Sequence, residues 1–543
     1  MISMMTKGPT RRTEALWFIA AVLAGCLAIL ATFLLATDKD LQLFFMSDTL
    51  YLPSIYRDVF EEGNSFLEWY LNPAPNFFPD MGLYCLLNGL LGDFRLASYT
   101  YPMIQFALIA MLFRAIVKES GLVKDDKAVA LGTLLLALVA LTGWWGNDFG
   151  FAFHLLVNSF HAGAFVNTLL CSWLLLRSFL ARGPLVFLLL GLLTALASAS
   201  DKLFWVMFTA PAAITCVLLA SRRQVRWRMV SIALLVVGST WLGDSGVRWL
   251  DDSNPLWVTK PYAYLEFVRI VSSWEHFLGM LRLYLGIGVM VAGSIVLGLV
   301  VTVWAMVHAI LWLRIWFRSQ RRDPDLTDIR PIAVKWMAGL FFPFVLLAPV
   351  LNGSFDGMDS LRYNFAVFIL APLATGVVLY NWGGRFSKWP TLALLAVVGF
   401  PALWTCLVRV DDYRRIATYK PERVREMDHL ARELKLRNGV GDYHDAKVIT
   451  MFTDEGLTVL PVFPHLAMYL HVNREGMFYG YGPEHERSIS FHHVVLGREL
   501  PKARMIQLLG QDTGFHAYGA VEVMLTPPWT FDPATRLPVL PNR

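Results

Sequence analysis

A hydrocarbon layer ~30 Å thick leaves a crossing backbone no water to bond to, so a crossing helix needs roughly 20 mainly apolar residues. The sequence holds eleven such runs, near 16-36, 98-117, 128-145, 160-178, 184-200, 203-220, 229-243, 284-313, 335-351, 363-381 and 390-408. The run at 229-243 is short, and 284-313 is long enough to tilt or to hold a break. Composition agrees, because 56% hydrophobic and 16% charged residues are too apolar for soluble domains, which carry ~25% charge. It also excludes a disordered chain. The 5 cysteines do not form a disulfide scaffold, since Cys26, Cys85, Cys171 and Cys216 lie in or beside apolar runs.

Charge placement sets the expected topology, because cytoplasmic segments carry the Lys/Arg excess. With eleven spans and the N-terminus inside, the inner segments carry Lys7, Arg11 and Arg12, then Lys118, Lys124 and Lys127, then Arg177 and Arg182. They continue with Arg222, Arg223, Arg226 and Arg228, then Arg314, Arg318, Arg321, Arg322 and Arg330, then Arg385 and Lys388. Runs 184-200 and 203-220 are divided only by Asp201 and Lys202 and read equally as one kinked helix. Only two separate spans keep every basic cluster inside. The first outer loop, 37-97, is acidic, and the tail from Arg409 onward falls outside. The surplus cations are thus orientation signals, which leaves no nucleic-acid face. Leu23-Ala24-Gly25-Cys26 matches a bacterial lipobox, but the apolar run continues through Ala36 and reads as an uncleaved signal anchor.

The expected fold is an α-helical polytopic membrane protein of about 11 transmembrane helices over 1-408, with long outer loops at 37-97 and 244-283. A small extracytoplasmic α/β or α+β domain follows at 409-543. In that domain 421-438 reads as an amphipathic helix closed by Asn438-Gly439. Ala446-Phe452, Leu457-Phe463, Met468-Val472, Ile489-Leu496 and Ala520-Leu525 read as strands. The prolines from Pro527 onward predict extended chain. Leu50-Leu71, rich in aromatics, is a candidate interfacial helix. Trp249, Trp257, Tyr262, Tyr264 and Trp274 of the second loop read as interfacial anchors.

Asp48 lies about a dozen residues past the first run, between Phe44-Phe45-Met46 and Leu50-Tyr51-Leu52. An acid in that setting suits a general base toward a hydroxyl. The plainer alternative is a helix N-cap formed by Ser47, Asp48 or Thr49. Asp148 sits in the outer loop after the third run, and His154, Asn158 and His161 follow at helical spacing, which predicts one polar face entering the membrane. Ser200-Asp201-Lys202 and Asp356-Asp359-Arg362-Tyr363 lie at outer helix ends, where cations can hold a phosphate or simply cap the helix. Two His and one distant Asp fall short of a zinc site. His492 and His493, adjacent on a strand, point to opposite faces.

The stretch Pro73-Ala74-Pro75-Asn76-Phe77-Phe78-Pro79-Asp80, then Leu83 to Asp93, then Arg95-Leu96-Ala97-Ser98, resembles polytopic GT-C glycosyltransferases of the bacterial protein-mannosyltransferase and aminoarabinose-transferase kind. So does the layout of an acidic first outer loop, about a dozen spans and a soluble C-terminal domain. Asp48 is followed by Thr49 where many relatives pair two acids, and Pro75-Asn76-Phe77-Phe78-Pro79 replaces their Pro-Pro-Leu turn.

The resemblance implies a bacterial inner-membrane enzyme with a cytoplasmic N-terminus and a periplasmic tail. It would move a sugar, with inversion, from a polyprenyl-phosphate donor to a glycan, lipid or protein acceptor. Asp48 and Asp148 match the family's catalytic acids, and Lys202, Arg362 and Tyr363 its donor-phosphate site. His154, Asn158, His161 and Arg57 are candidate cavity-lining residues. No metal or other cofactor is required if Arg and Lys neutralise the phosphate, and a divalent ion is the alternative. The competing readings are a transporter or flippase for a lipid-linked glycan and a non-catalytic subunit of an envelope-polysaccharide machine.

Overall fold

A computed structural model describes residues 11–123, 125–144, 152–181, 183–252, 257–258, 267–287, 289–318, 329–383, 388–479, 489–510 and 514–540. All eleven apolar runs are helical. Six of the helices are long and apolar enough to cross a membrane: Glu14–Leu35, Phe94–Ser120, Arg226–Asp252, Ala292–Trp316, Ile329–Leu351 and Trp389–Val408. The other five runs correspond to Asp126–Trp144, Ala162–Ser178, Pro184–Ser200, Trp205–Leu219 and Phe365–Gly383. The run at 229-243 belongs to a 27-residue helix, while 284-313 falls on two helices, Ile270–Ile287 and Val289–Arg318. Trp249 and Trp274 are exposed, as interfacial anchors would be. The side chain of Trp257 and all of Tyr262 and Tyr264 lie outside the described residues.

The chain reverses at Asp201 and Lys202. Along Pro184–Ser200, Phe187 meets Arg228, Gly191 meets Leu235 and Ser239, and Ala195 meets Gly243, so this helix runs parallel to Arg226–Asp252. Its successor runs the other way, with Thr209 bonded to Thr240 at 2.9 Å and Ala220 bonded to Arg226. Asp201 itself is extended (φ −159°, ψ 126°). The two-helix reading that charge placement favoured is therefore the one the packing shows. Close packing elsewhere depends on absent side chains. Asp126–Trp144 and Phe365–Gly383 cross at Gly132 and Gly376, where a Cβ on either would overlap the other's backbone.

The basic ends of the bundle gather together. Glu119 joins Arg330 at 2.6 Å, Asp126 takes Arg114 and Lys118 at 2.8 Å, and Arg228 reaches the Ser178 carbonyl. At the other end sits the tail, tied down where Arg415 reaches the Leu34 carbonyl at 3.0 Å and Tyr419 that of Asp38 at 3.0 Å.

The tail is built on a mixed sheet. Asn438–Gly441 pairs in parallel with Thr458–Pro461 and Phe491–Leu496, and the latter pairs antiparallel with Val521–Phe531, which also carries Phe515–Tyr518. Several sequence expectations change here. The helix Glu422–Leu434 closes at Lys435 in the left-handed region (φ 56°), which frees Asn438-Gly439 to open a strand. Ala446-Phe452 lies in a helix, Tyr443–Phe452, because Asp442 caps it through the Asp445 amide at 2.9 Å. A run of seven mostly apolar residues satisfies either period, and the cap decides. Met468-Val472 forms only an isolated bridge, Val462 to Met468. The last strand continues through Pro527 and Pro528. His492 is exposed and His493 buried, on opposite faces as expected.

The segment Leu50-Leu71 does not lie free at an interface. It is helical over Tyr51–Tyr56, turns through Arg57–Glu61, and ends in Tyr70–Leu71, paired with Trp257–Val258. Tyr51, Leu52, Ile55 and Trp69 are buried in a cluster that includes Tyr443 and Val472 of the tail. Their apolar face is covered by protein, which offers closer packing than lipid headgroups do.

Candidate functional site

Of the residues singled out by sequence, Asp48 and Arg57 meet the tail domain where it seats on the bundle. Helix Tyr51–Tyr56 starts at Leu50 without a side-chain cap, so the N-cap reading of Asp48 falls. Ser47 instead donates to the Tyr443 carbonyl at 2.7 Å, and Thr49 to that of Met46 at 2.8 Å. The half-buried Asp48 carboxylate accepts the Tyr443 hydroxyl at 2.6 Å. Burial and that carboxylate hold the Tyr443 hydroxyl far above the usual phenol range.

Beside it lie Lys447 and His471. Lys447 is 5% exposed and donates to the Val472 carbonyl at 2.6 Å. Burial pushes its ammonium down to about 7, against the pull of Asp48. His471 is pushed down to about 4 by burial and by the charges of Lys447 and Arg362, with Asp48 acting the other way. Asp48 and Arg362, 314 positions apart in the sequence, thus act on the same imidazole. Arg362 also donates to the Tyr363 hydroxyl at 3.1 Å, and the Tyr363 ring lies 5.4 Å from that of His161.

His161 carries the site deeper. Its Nδ1 is 2.6 Å from Asp201, a pairing that orients the ring and leaves Nε2 on the other side. The expected helical face of His154, Asn158 and His161 does not form. Only Phe153–Leu156 is helical, and Ser159, Phe160 and His161 all have positive φ, at 77°, 61° and 68°, before Ala162 opens the next helix. Three consecutive left-handed residues without a glycine store strain of order 1–3 kcal/mol each, of the kind that concentrates at functional sites. His154 and Asn158 are buried nonetheless. The His154 Nδ1 and Asn158 Oδ1 have no hydrogen-bond partner among the described residues. Burial, with His161 and Arg362 nearby, pushes His154 down to about 3 and keeps it neutral.

Asp201 also acts on Asp80, an acid that sequence reading left among the loop charges. Asp80 is 1% exposed, accepts the Tyr101 hydroxyl, and lies so close to Gly163 that a Cβ there would overlap it. Burial pushes its carboxyl up to about 7, helped by Asp201 and opposed by the Tyr101 bond. An unfolded aspartate releases its proton near ~4, so the native state holds an extra proton from there up to about pH 7 and loses stability as pH rises through that window. Asp80→Asn keeps the acceptor for Tyr101. Its melting temperature is expected to rise relative to wild type between about pH 5 and about pH 8. A difference that stays flat across that range contradicts the assignment.

The remaining expected residues are engaged in other ways. Lys202 pairs with the buried Asp244 at 3.5 Å, and Arg248 shares that carboxylate. Arg57 bonds Glu62 at 3.1 Å and the Thr450 carbonyl at 2.9 Å, on the tail side. Asp148 and the side chain of Asp359 lie outside the described residues. Among the described residues no three of His, Cys, Asp and Glu are grouped to hold a metal ion. Chemically, Arg362 and Tyr363 stand beside the Asp-oriented imidazole of His161, which suits moving a proton next to an anion. Neither protein-family models nor curated proteins give a match to this chain.

Proposed function

We propose that the chain is a polytopic membrane glycosyltransferase that moves a sugar from a polyprenyl-phosphate donor to a cell-envelope acceptor. The observation that carries this reading is the half-buried Asp48 carboxylate, bonded to Tyr443 at 2.6 Å where the tail domain seats on the bundle. In the proposed step the acceptor hydroxyl gives its proton to Asp48 as its oxygen bonds the anomeric carbon from the face opposite the phosphate. The anomeric carbon–oxygen bond breaks, its electron pair leaves with the phosphate, and Arg362 stabilises that charge. Each such group typically contributes ~10²-fold or more. Six helices long and apolar enough to cross a membrane, with basic side chains gathered at the end of the bundle opposite the tail, support a site on the outer side of a bacterial inner membrane, where a lipid-borne donor and an envelope acceptor would meet.

Arg362→Lys tests the phosphate role, because it keeps the charge and loses the planar fork. Transfer by the purified protein in proteoliposomes is expected to fall on the order of tenfold, with a raised KM for the lipid donor. Unchanged KM and rate remove Arg362 from donor binding.

A further inference from the structure

A second site lies inside the bundle. A cavity of about 410 Å³ runs between helices Phe94–Ser120, Ala162–Ser178, Val289–Arg318, Ile329–Leu351 and Phe365–Gly383. Its lining includes both Phe165 and Leu176, which are eleven residues apart on one helix and so ~16 Å apart at ~1.5 Å rise per residue. A slot of that length and volume is narrow, and its walls are almost wholly apolar. Trp304 and Asn381 on its rim are exposed, so it opens on the flank of the bundle.

Among the lining residues Thr168, Ser172, His308 and Asn381 are polar, and Lys335 carries a fixed charge. Lys335 lies six residues into its helix, ~9 Å from the start, at the end of the bundle opposite the tail. Its ammonium rests 3.8 Å from the Trp312 ring and has no carboxylate partner among the described residues. Among the described acids at this end, Glu119 is held by Arg330, Asp126 by Arg114 and Lys118, and Asp125 by Lys127. A cation at the mouth of an apolar slot calls for an anion joined to a hydrocarbon chain.

We propose that this slot binds an acidic phospholipid, one acyl chain lying along it and the headgroup phosphate on Lys335. The lipid enters sideways from the leaflet at the basic end. The site is separate from the Asp48 region and does not depend on the transferase reading.

Native mass spectrometry of the full chain, stripped of lipid in detergent and titrated with phosphatidylglycerol or phosphatidylcholine, tests this without any sugar donor. Wild type is expected to bind one phosphatidylglycerol in preference to phosphatidylcholine. Lys335→Gln is expected to weaken phosphatidylglycerol about fivefold and erase the preference, while Lys335→Arg keeps it. Ala338→Phe, which fills the slot, is expected to lose both lipids with an unchanged melting temperature in detergent. Equal binding of phosphatidylglycerol by wild type and Lys335→Gln overturns the proposal. So does polyprenyl phosphate displacing it with no dependence on residue 335.

Discussion

Asp48→Asn is expected to lower sugar transfer on the order of 10²- to 10³-fold while leaving the tail domain seated. The asparagine oxygen still accepts the Tyr443 hydroxyl that Asp48 now holds at 2.6 Å, so the contact survives and only the proton acceptor is lost. Tyr443→Phe makes the opposite change. It removes the hydrogen bond, keeps the carboxylate, and is expected to cost less than about tenfold, the worth of one net hydrogen bond. The pair separates chemistry from docking, since a purely structural Asp48 predicts the reverse order of effects. The measurement is labelled sugar incorporated into the envelope of cells carrying each variant, set against cells lacking the gene. Wild-type incorporation in Asp48→Asn cells removes Asp48 from the mechanism.

Asp58→Ala is expected to loosen the tail domain by about 3–5 kcal/mol, the usual result of removing one partner from a buried ion pair. The Asp58 side chain is 2% exposed and that of Arg474 6%. Between them run bonds of 3.0 and 3.2 Å, and Trp69 and Asn64 add bonds to the same carboxylate at 2.7 and 3.0 Å. With Asp58 gone, the described carboxylate beside the Arg474 charge is the half-exposed Glu68, at 3.2 Å. Replacing both partners by leucine is expected to recover much of the loss, because no buried charge is then stranded. Arg536→Ala removes an exposed pair with Glu475 and is expected to change stability by less than about 1 kcal/mol. Thermal melting and limited proteolysis read these differences. Equal melting of Asp58→Ala and Arg536→Ala would show that the interlock does not hold the domain.

Much of the helical layout was legible in the sequence because length and apolarity alone force a crossing segment to be helical, and because Lys/Arg placement decided the reversal at Asp201. The tail was less legible. Its helix at Tyr443–Phe452 and a strand there share the same apolar residues, and the only local signal for the helix was Asp442 three positions ahead of Asp445. In the site, Asp48, Arg362 and His161 stood out as polar residues at apolar boundaries. Tyr443, Lys447 and His471 did not, because what makes them part of it is contact with residues hundreds of positions away. Asp80 was read as one loop acid among many, since burial of a single carboxylate leaves no mark on spacing. The strap at Ser159, Phe160 and His161 escaped for a similar reason: nothing in three non-glycine residues announces a left-handed backbone, and the spacing of His154, Asn158 and His161 argued for a helix.

The proposed reaction breaks the bond between a sugar and a polyprenyl phosphate at the Asp48 site. Purified protein in proteoliposomes, supplied with radiolabelled polyprenyl-phosphate sugars and an envelope extract as acceptor, tests it by the release of polyprenyl phosphate. Release is expected to require the protein and to collapse in Asp48→Asn. Donor lipids that stay intact in the presence of folded wild-type protein, or release that is equal in Asp48→Asn, would contradict it.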